Sequence, residues 1–201
     1  TADAAMALAH YTNDLKEAVE GACFIQECIP ERIELKKSTY KQIQEIVGAA
    51  PLIASSTTAL MPSELQADAL YPDRILFGHP YNPSYILPLV EIVGGKQTSQ
   101  ETSDEAYEVY ASWKKVPVIC LKEQYGYIAQ HTNWGVRDIL KRLVDEGICS
   151  AEDADKSLMY GPGMRFAVTG QLLTLALGVE GGWANLSMKY QGIPASELDM
   201  K

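Results

Sequence analysis

The chain has 201 residues, 47% of them hydrophobic and 21% charged, a balance that suits one sizeable core or two modest domains and excludes a disordered polymer. Its net charge of -9, from 17 Lys and Arg against 26 Asp and Glu, excludes a nucleic-acid partner held through a basic surface, because no cationic stripe exists to displace counterions from phosphates. The four cysteines, Cys23, Cys28, Cys120 and Cys149, show neither CxxC spacing nor a histidine cluster, which argues against a metal site or a disulfide framework and for a reducing cytoplasm.

Strand and helix patterns alternate over the first 122 residues, as they do when parallel strands are joined by helices. LKEAVEGA reads as a helix end and ACFIQECI as a buried strand. ERIELKKSTYKQIQEIVG carries Ile33, Tyr40, Ile43 and Ile46 at helical spacings, with Gly48 as a stop. PLIASST is the next strand, and Pro62 and Ser63 open a short helix. RILFGHP and LPLVEIVGG read as two further strands, TSDEAYEVYASWKK as an amphipathic helix, and VPVICLK as the strand that closes this half.

From Glu123 onward the pattern is helical. Val136, Ile139, Leu140, Leu143 and Val144 form one face before Gly147, and Ser150 followed by Glu152 and Asp153 begins another helix through side-chain capping and the helix dipole. GQLLTLALGVEGG is apolar but too short for a membrane span, and TADAAMALAH lacks the basic start and long apolar core of a signal peptide, so no membrane partner is expected. The expected fold is α/β plus all-α, the later part of a Rossmann-type parallel sheet over 1–122 and a helical domain over 123–201. No GxGxxG occurs, and the chain opens in what reads as a helix or loop, so it is expected to be truncated at its N-terminus relative to a complete nucleotide-binding domain.

Two residues carry chemistry. Glu91 lies in the apolar run LPLVEIV, where a carboxylate needs a partner or a raised pKa. His79, between Gly78 and Pro80, is a natural partner, and a histidine paired with a carboxylate has the makings of a general base. Read without further context, His79 would be a loop histidine, Glu31 and Lys36 surface charges at a helix start, Asn82 a turn residue before proline, and Thr58 part of a polar turn.

IQECIPERIELK, ASSTTALMPSEL, GHPYNPSYILPLVEIVGG and YGPGMR, in that order, resemble the 3-hydroxyacyl-CoA dehydrogenase family over nearly the whole chain. They are most like its carnitine 3-dehydrogenase branch, with the gulonate dehydrogenase and lambda-crystallin branch next. The resemblance implies NAD-dependent oxidation of a secondary alcohol at the 3-position of a small hydroxy acid, a Rossmann domain, a helical C-terminal domain and a homodimer. It gives His79 the place of the catalytic histidine, Glu91 that of the carboxylate orienting it, and Thr58 that of a serine bonding the reacting oxygen. Glu31 and Lys36 match positions contacting NAD or the neighbouring phosphate, and Asn82 one near the nicotinamide.

The chain departs from the family pattern at YGYIAQHTN, where PGF, two residues and Asn-Arg are usual. Gln130 stands for the substrate-oriented asparagine and His131 for the arginine. For a carnitine-like substrate, Tyr81, Tyr85, Tyr125 and Trp134 are candidate aromatic walls and Arg165 a candidate carboxylate contact. L-Gulonate, a 3-hydroxyacyl-CoA, and a non-catalytic crystallin-like role remain the alternatives.

Overall fold

The structure, a computed structural model, describes residues 2–178. The chain divides into two compact units between Asn133 and Trp134, and the boundary expected near Lys122 lies in the connection before the helix that spans this division. The first unit contains strands β1 (Phe24–Glu27), β2 (Leu52–Ser55), β3 (Ile75–Pro80), β4 (Leu89–Gly94) and β5 (Val116–Cys120), hydrogen-bonded in that order as one sheet. Helices α1 (Ala2–Met6), α2 (Leu15–Val19), α3 (Ile33–Val47), α4 (Pro62–Gln66) and α5 (Gln100–Ser112) accompany it, and α6 (Ala129–Asp145) starts in this unit.

The sheet is mostly parallel, as expected, with β1 beside β2, β2 beside β3 and β4 beside β5 all parallel. One pair departs. β3 and β4 run antiparallel, because residues 81–88 return the chain without a crossover helix. Period-two alternation then sorts the apolar side chains onto two faces. Ile53, Ile75, Phe77 and Val93 pack with Tyr40 and Ile43 of α3, Leu65 of α4 and Tyr127. Leu52, Ala54, Leu76, Val90 and Ile92 pack with Ala106 and Tyr110 of α5. A sheet covered on both faces explains why β2, β3 and β4 read as nearly continuous apolar runs.

Helix boundaries follow their caps. Gly48 ends α3 at φ 67°, a conformation that favours glycine. Ser99 caps α5 by accepting from the Thr102 amide at 3.0 Å, so this helix begins slightly before the expected TSDEAYEV run. α6 likewise begins at Ala129, ahead of its apolar face. In the second unit, α7 (Ala151–Leu158) is capped by Ser150 as expected, a π-helical turn covers Met159–Gly163, and α8 (Met164–Phe166) and α9 (Gln171–Leu177) follow. The expected apolar stretch from Gly170 onward is helical to Leu177, and its end lies outside the described residues. Among the described residues, no helix is long and apolar enough to cross a membrane.

Two polar devices tie the layers together. At the end of β1, Glu27 is buried and accepts from Lys36 Nζ at 2.8 and 3.0 Å, from Ser55 Oγ at 2.7 Å and from the Tyr40 hydroxyl. Lys36 is 1% exposed, and its remaining proton goes to the Ile29 carbonyl at 3.1 Å. On the opposite face, Tyr110 reaches from α5 to donate to Gln26 Oε1, while Gln26 Nε2 donates to the carbonyls of Ala54 and Gly78 and to Ser56 Oγ. The tyrosine crosses directly over Gly78, where a Cβ would stand 1.9 Å from its hydroxyl oxygen. Glycine before His79 is therefore a packing requirement.

Two stability outcomes follow. Lys36→Met strands the buried Glu27 charge and lowers unfolding free energy by about 3–5 kcal/mol, read from urea titration. Gly78→Ala forces Tyr110 out of its contacts with Phe24 and Trp113 and lowers stability by about 1–3 kcal/mol, read from the thermal midpoint.

Candidate active site

Because β1, β2 and β3 are parallel, their carboxyl ends lie on one edge of the sheet. Open α/β sheets bind ligands beyond that edge. Glu31 follows β1, Thr57 and Thr58 follow β2, and His79 is at the end of β3 itself. The three parallel strands thus deliver three of the expected site segments to the same side.

Antiparallel pairing brings in the fourth. In the β3/β4 register His79 stands directly opposite Glu91, and directly opposed residues share a face. His79 Nδ1 lies 3.2 Å from Glu91 Oε2, with the Glu91 side chain fully buried and that of His79 13% exposed. The other carboxylate oxygen, Oε1, accepts from the amides of Ile128 and Ala129, both at 2.8 Å. Burial by itself would raise the Glu91 pKa and is the largest single influence. The hydrogen bonds from His79 and the two amides together outweigh it and hold the carboxyl below the usual range.

An ionised carboxylate only accepts, so the hydrogen between the pair is carried by His79 Nδ1. The partly exposed ring is thereby oriented by a buried charge.

The other expected residues are placed differently from one another. Glu31 Oε1 accepts from the Thr58 amide at 3.2 Å and Oε2 from Thr57 Oγ1 at 2.5 Å, so Glu31 and Thr58 belong to one cluster, with both residues exposed. Lys36 is not brought to this edge as a free cation. Its three protons are taken by the two Glu27 oxygens and the Ile29 carbonyl, which leaves none for a cofactor phosphate in this arrangement. Asn82 is exposed in the connection after β3, and Gln130 is exposed in the first turn of α6, next to the Ala129 amide that binds Glu91. His131 Nε2 lies 2.9 Å from the Tyr125 carbonyl and 2.8 Å from Gln124 Nε2, which makes it a tie within its own turn.

Beyond the dyad on the same sheet face, a pocket of about 370 Å³ is lined by Tyr81, Leu89, Glu91, Val118, Ile128, Ala129, Thr132 and Asn133. Asn133 Nδ2 donates to the Tyr81 hydroxyl at its rim. Of the aromatic residues considered for a substrate wall, Tyr81 lines this pocket, Tyr85 and Tyr125 are exposed, and Trp134 and Arg165 belong to the second unit.

The sequence reading passed over Tyr127. It is buried, its ring centroid is 5.5 Å from that of His79, and its hydroxyl donates to the Thr57 carbonyl at 2.7 Å. The signal available in the sequence was the glycine of YGY, because Gly126 adopts φ 77° and makes the tight turn that aims the next residues at the sheet. The amide donors of Ile128 and Ala129 carried no side-chain signal at all.

Comparison with known proteins gives the family. Residues 1–124 match the family model described as the 3-hydroxyacyl-CoA dehydrogenase, NAD binding domain. An L-carnitine dehydrogenase of Bacillus cereus is 40% identical over 164 residues, 82% of this chain and 50% of that protein. A lambda-crystallin homolog of Rattus norvegicus is 39% identical over 168 residues, 84% of this chain and 53% of that protein. The crystal structure of 5-formyl-3-hydroxy-2-methylpyridine 4-carboxylic acid 5-dehydrogenase, an NAD+-dependent dismutase, superimposes with a TM-score of 0.80 at 28% identity, over 88% of this chain and 57% of that one. The chain spans about half the length of the two sequence relatives. The family match covers the whole sheet and the strand pair that faces His79 with Glu91, and the chain belongs to the 3-hydroxyacyl-CoA dehydrogenase family.

Proposed function

We propose that this chain carries the proton-transfer machinery of an NAD-dependent dehydrogenase that oxidises a secondary alcohol at the 3-position of a small hydroxy acid, with L-carnitine as the leading substrate. The observation that carries the reading is the His79–Glu91 pair, a largely buried imidazole held by a buried, ionised carboxylate at the edge of the sheet where open α/β sheets bind ligands. The likeness to L-carnitine dehydrogenases supports L-carnitine as the leading substrate. L-Gulonate and 3-hydroxybutyryl-CoA are the substrates to set beside it. A cytoplasmic homodimer is part of the same proposal and rests on the family resemblance alone.

The residues at the edge can be tested for fit to NAD. Glu31 is an exposed carboxylate whose oxygens still have lone pairs after accepting from Thr57 and Thr58, so it suits hydroxyl donors such as those of a ribose. Lys36 is committed to Glu27 and so contributes to this edge by fixing the start of α3, not by meeting a phosphate. Glu31 and Asn82 are therefore the proposed cofactor contacts. NAD, when bound, accepts the hydride from the carbinol carbon.

The remaining chemistry falls to side chains. His79 Nε2 takes the hydroxyl proton, and Glu91 stabilises the imidazolium that results and keeps its Nδ1–H turned inward. In this reading Thr58 donates its hydroxyl to the reacting oxygen, and Gln130 contacts substrate from the first turn of α6. A positioned proton acceptor of this kind contributes roughly 10²–10⁴-fold to the rate.

The test is NADH formation from L-carnitine, L-gulonate and 3-hydroxybutyryl-CoA, by this chain and by the longest natural polypeptide that contains it. Turnover of L-carnitine, lost by a factor of roughly 10²–10⁴ in His79→Ala, is the expected result. NAD binding with no turnover of any of the three overturns the dehydrogenase reading in favour of a binding role. In Glu91→Gln the amide can donate as well as accept and no longer selects the Nδ1–H tautomer, so kcat falls by about two orders of magnitude or more.

A pH series gives an independent check on the same carboxylate. The folded pKa of Glu91 is depressed, so its stabilising contribution is complete above the unfolded value of about 4.3 and is lost as pH falls through the lower folded value. The stability difference between the wild type and Glu91→Gln therefore shrinks below about pH 4, as measured by urea unfolding.

A further inference from the structure

The turn between β5 and α6 holds a residue that touches three parts of the candidate site at once. Tyr127 is 4% exposed and adopts φ 47°, a region in which an aromatic side chain is uncommon and a glycine would be at ease. Something must offset that strain. Its ring packs against His79, with centroids 5.5 Å apart and planes at 59°, and against Phe77 at 6.2 Å. Its hydroxyl donates to the Thr57 carbonyl at 2.7 Å. The two amides that follow it in the chain bind Glu91. Burial, with the charges of Glu31 and Glu91 adding to it, pushes the phenol pKa far above its ordinary value, so the hydroxyl stays a donor.

We propose that Tyr127 is a positioning residue for the reaction. Its ring holds the His79 imidazole against Glu91, and its hydroxyl fixes the Thr57–Thr58 turn so that the acceptor and the Thr58 hydroxyl keep one relative geometry. Thr58 is exposed, and its part of the turn is held by Glu31 through the Thr58 amide and the Thr57 hydroxyl, while Gln26 ties the Ser56 hydroxyl to the Gly78 carbonyl. None of these bonds reaches the His79 ring. A ring and a hydroxyl on one rigid side chain connect β3 to the loop after β2, which no strand pairing does at that point. The imidazolium formed on proton transfer would also lie within cation–π range of the Tyr127 ring.

Two substitutions separate the two contacts. Tyr127→Leu removes the ring, and Tyr127→Phe removes the hydroxyl alone. The chain has only three histidines, so ¹⁵N imidazole shifts report His79 directly. In the wild type and in Tyr127→Phe we expect a single Nδ1–H tautomer for His79. In Tyr127→Leu we expect mixed tautomers and a displaced titration midpoint. Hydrogen exchange at the Thr58 amide is expected to rise about two- to tenfold in Tyr127→Phe, with strand amides unchanged.

The kinetic arm rests on the dehydrogenase reading. There Tyr127→Phe lowers kcat by about two- to tenfold and leaves KM nearly unchanged, since the residue acts through His79 and Thr58 and not on bound substrate. The inference is overturned by unchanged His79 shifts in a folded Tyr127→Leu, by unchanged Thr58 exchange in Tyr127→Phe, or by a raised KM at constant kcat. Should Tyr127→Leu fail to fold, the exchange result in Tyr127→Phe decides. A wild type without turnover that still shows the expected shifts and exchange sinks the dehydrogenase reading and leaves Tyr127 as the organiser of the cluster.

Discussion

The site depends on one buried negative charge. Glu91 lies in the middle of the sheet with no exposed surface, in a place where an unpaired carboxylate would either take up a proton or unfold its surroundings. It does neither, because an imidazole on the next strand and two amides at the entry to α6 supply its hydrogen bonds. Each of those donors is fixed in place by the need to satisfy the charge. The ring of His79 is turned inward at Nδ1, and the turn from Gly126 to Ala129 is drawn over the sheet. The chain is thereby committed to begin α6 at Ala129, several residues ahead of its apolar face.

Strand direction is the second constraint. In a wholly parallel sheet, β3 and β4 would be joined by a crossover helix, and His79 and Glu91 would lie too far apart in sequence for the short spacing they have. The antiparallel return through 81–88 sets them opposite each other and at the same time leaves β1, β2 and β3 parallel. The loops after β1 and β2 therefore arrive on the side where the histidine ends β3. The His79–Glu91 pair and the loops after β1 and β2 share an edge because one strand pair is antiparallel and the other three are parallel.

Much of this was legible in the residues. Every expected strand formed, Gly48 and Ser150 ended and began the helices assigned to them, and Glu91 announced itself as a carboxylate inside an apolar run. The antiparallel step was less visible, because a proline-rich connection can return a chain or lead it across, and periodicity looks the same in both cases. Lys36 was hard to read for a different reason. Its neighbours in PERIELK mix charged and apolar residues, and nothing short of the packed structure shows that its helical position turns it inward to Glu27 with its three protons used. Tyr127 was hidden because a backbone carbonyl is its partner, and carbonyls have no letter in the sequence.

Glu27 and Glu91, two buried carboxylates of the first unit, are satisfied in different ways. Both are buried and both are hydrogen-bonded. Glu27 is matched to an ammonium and two hydroxyls, inside a cluster that Lys36 seals at 1% exposure. That arrangement is stable and inert. Glu91 is matched to an imidazole at the end of β3 and to two amides at the entry to α6. The difference between the two carboxylates thus lies in the partner and its place in the fold: Lys36 closes one cluster inside the core, while His79 ends a strand at the open edge of the sheet.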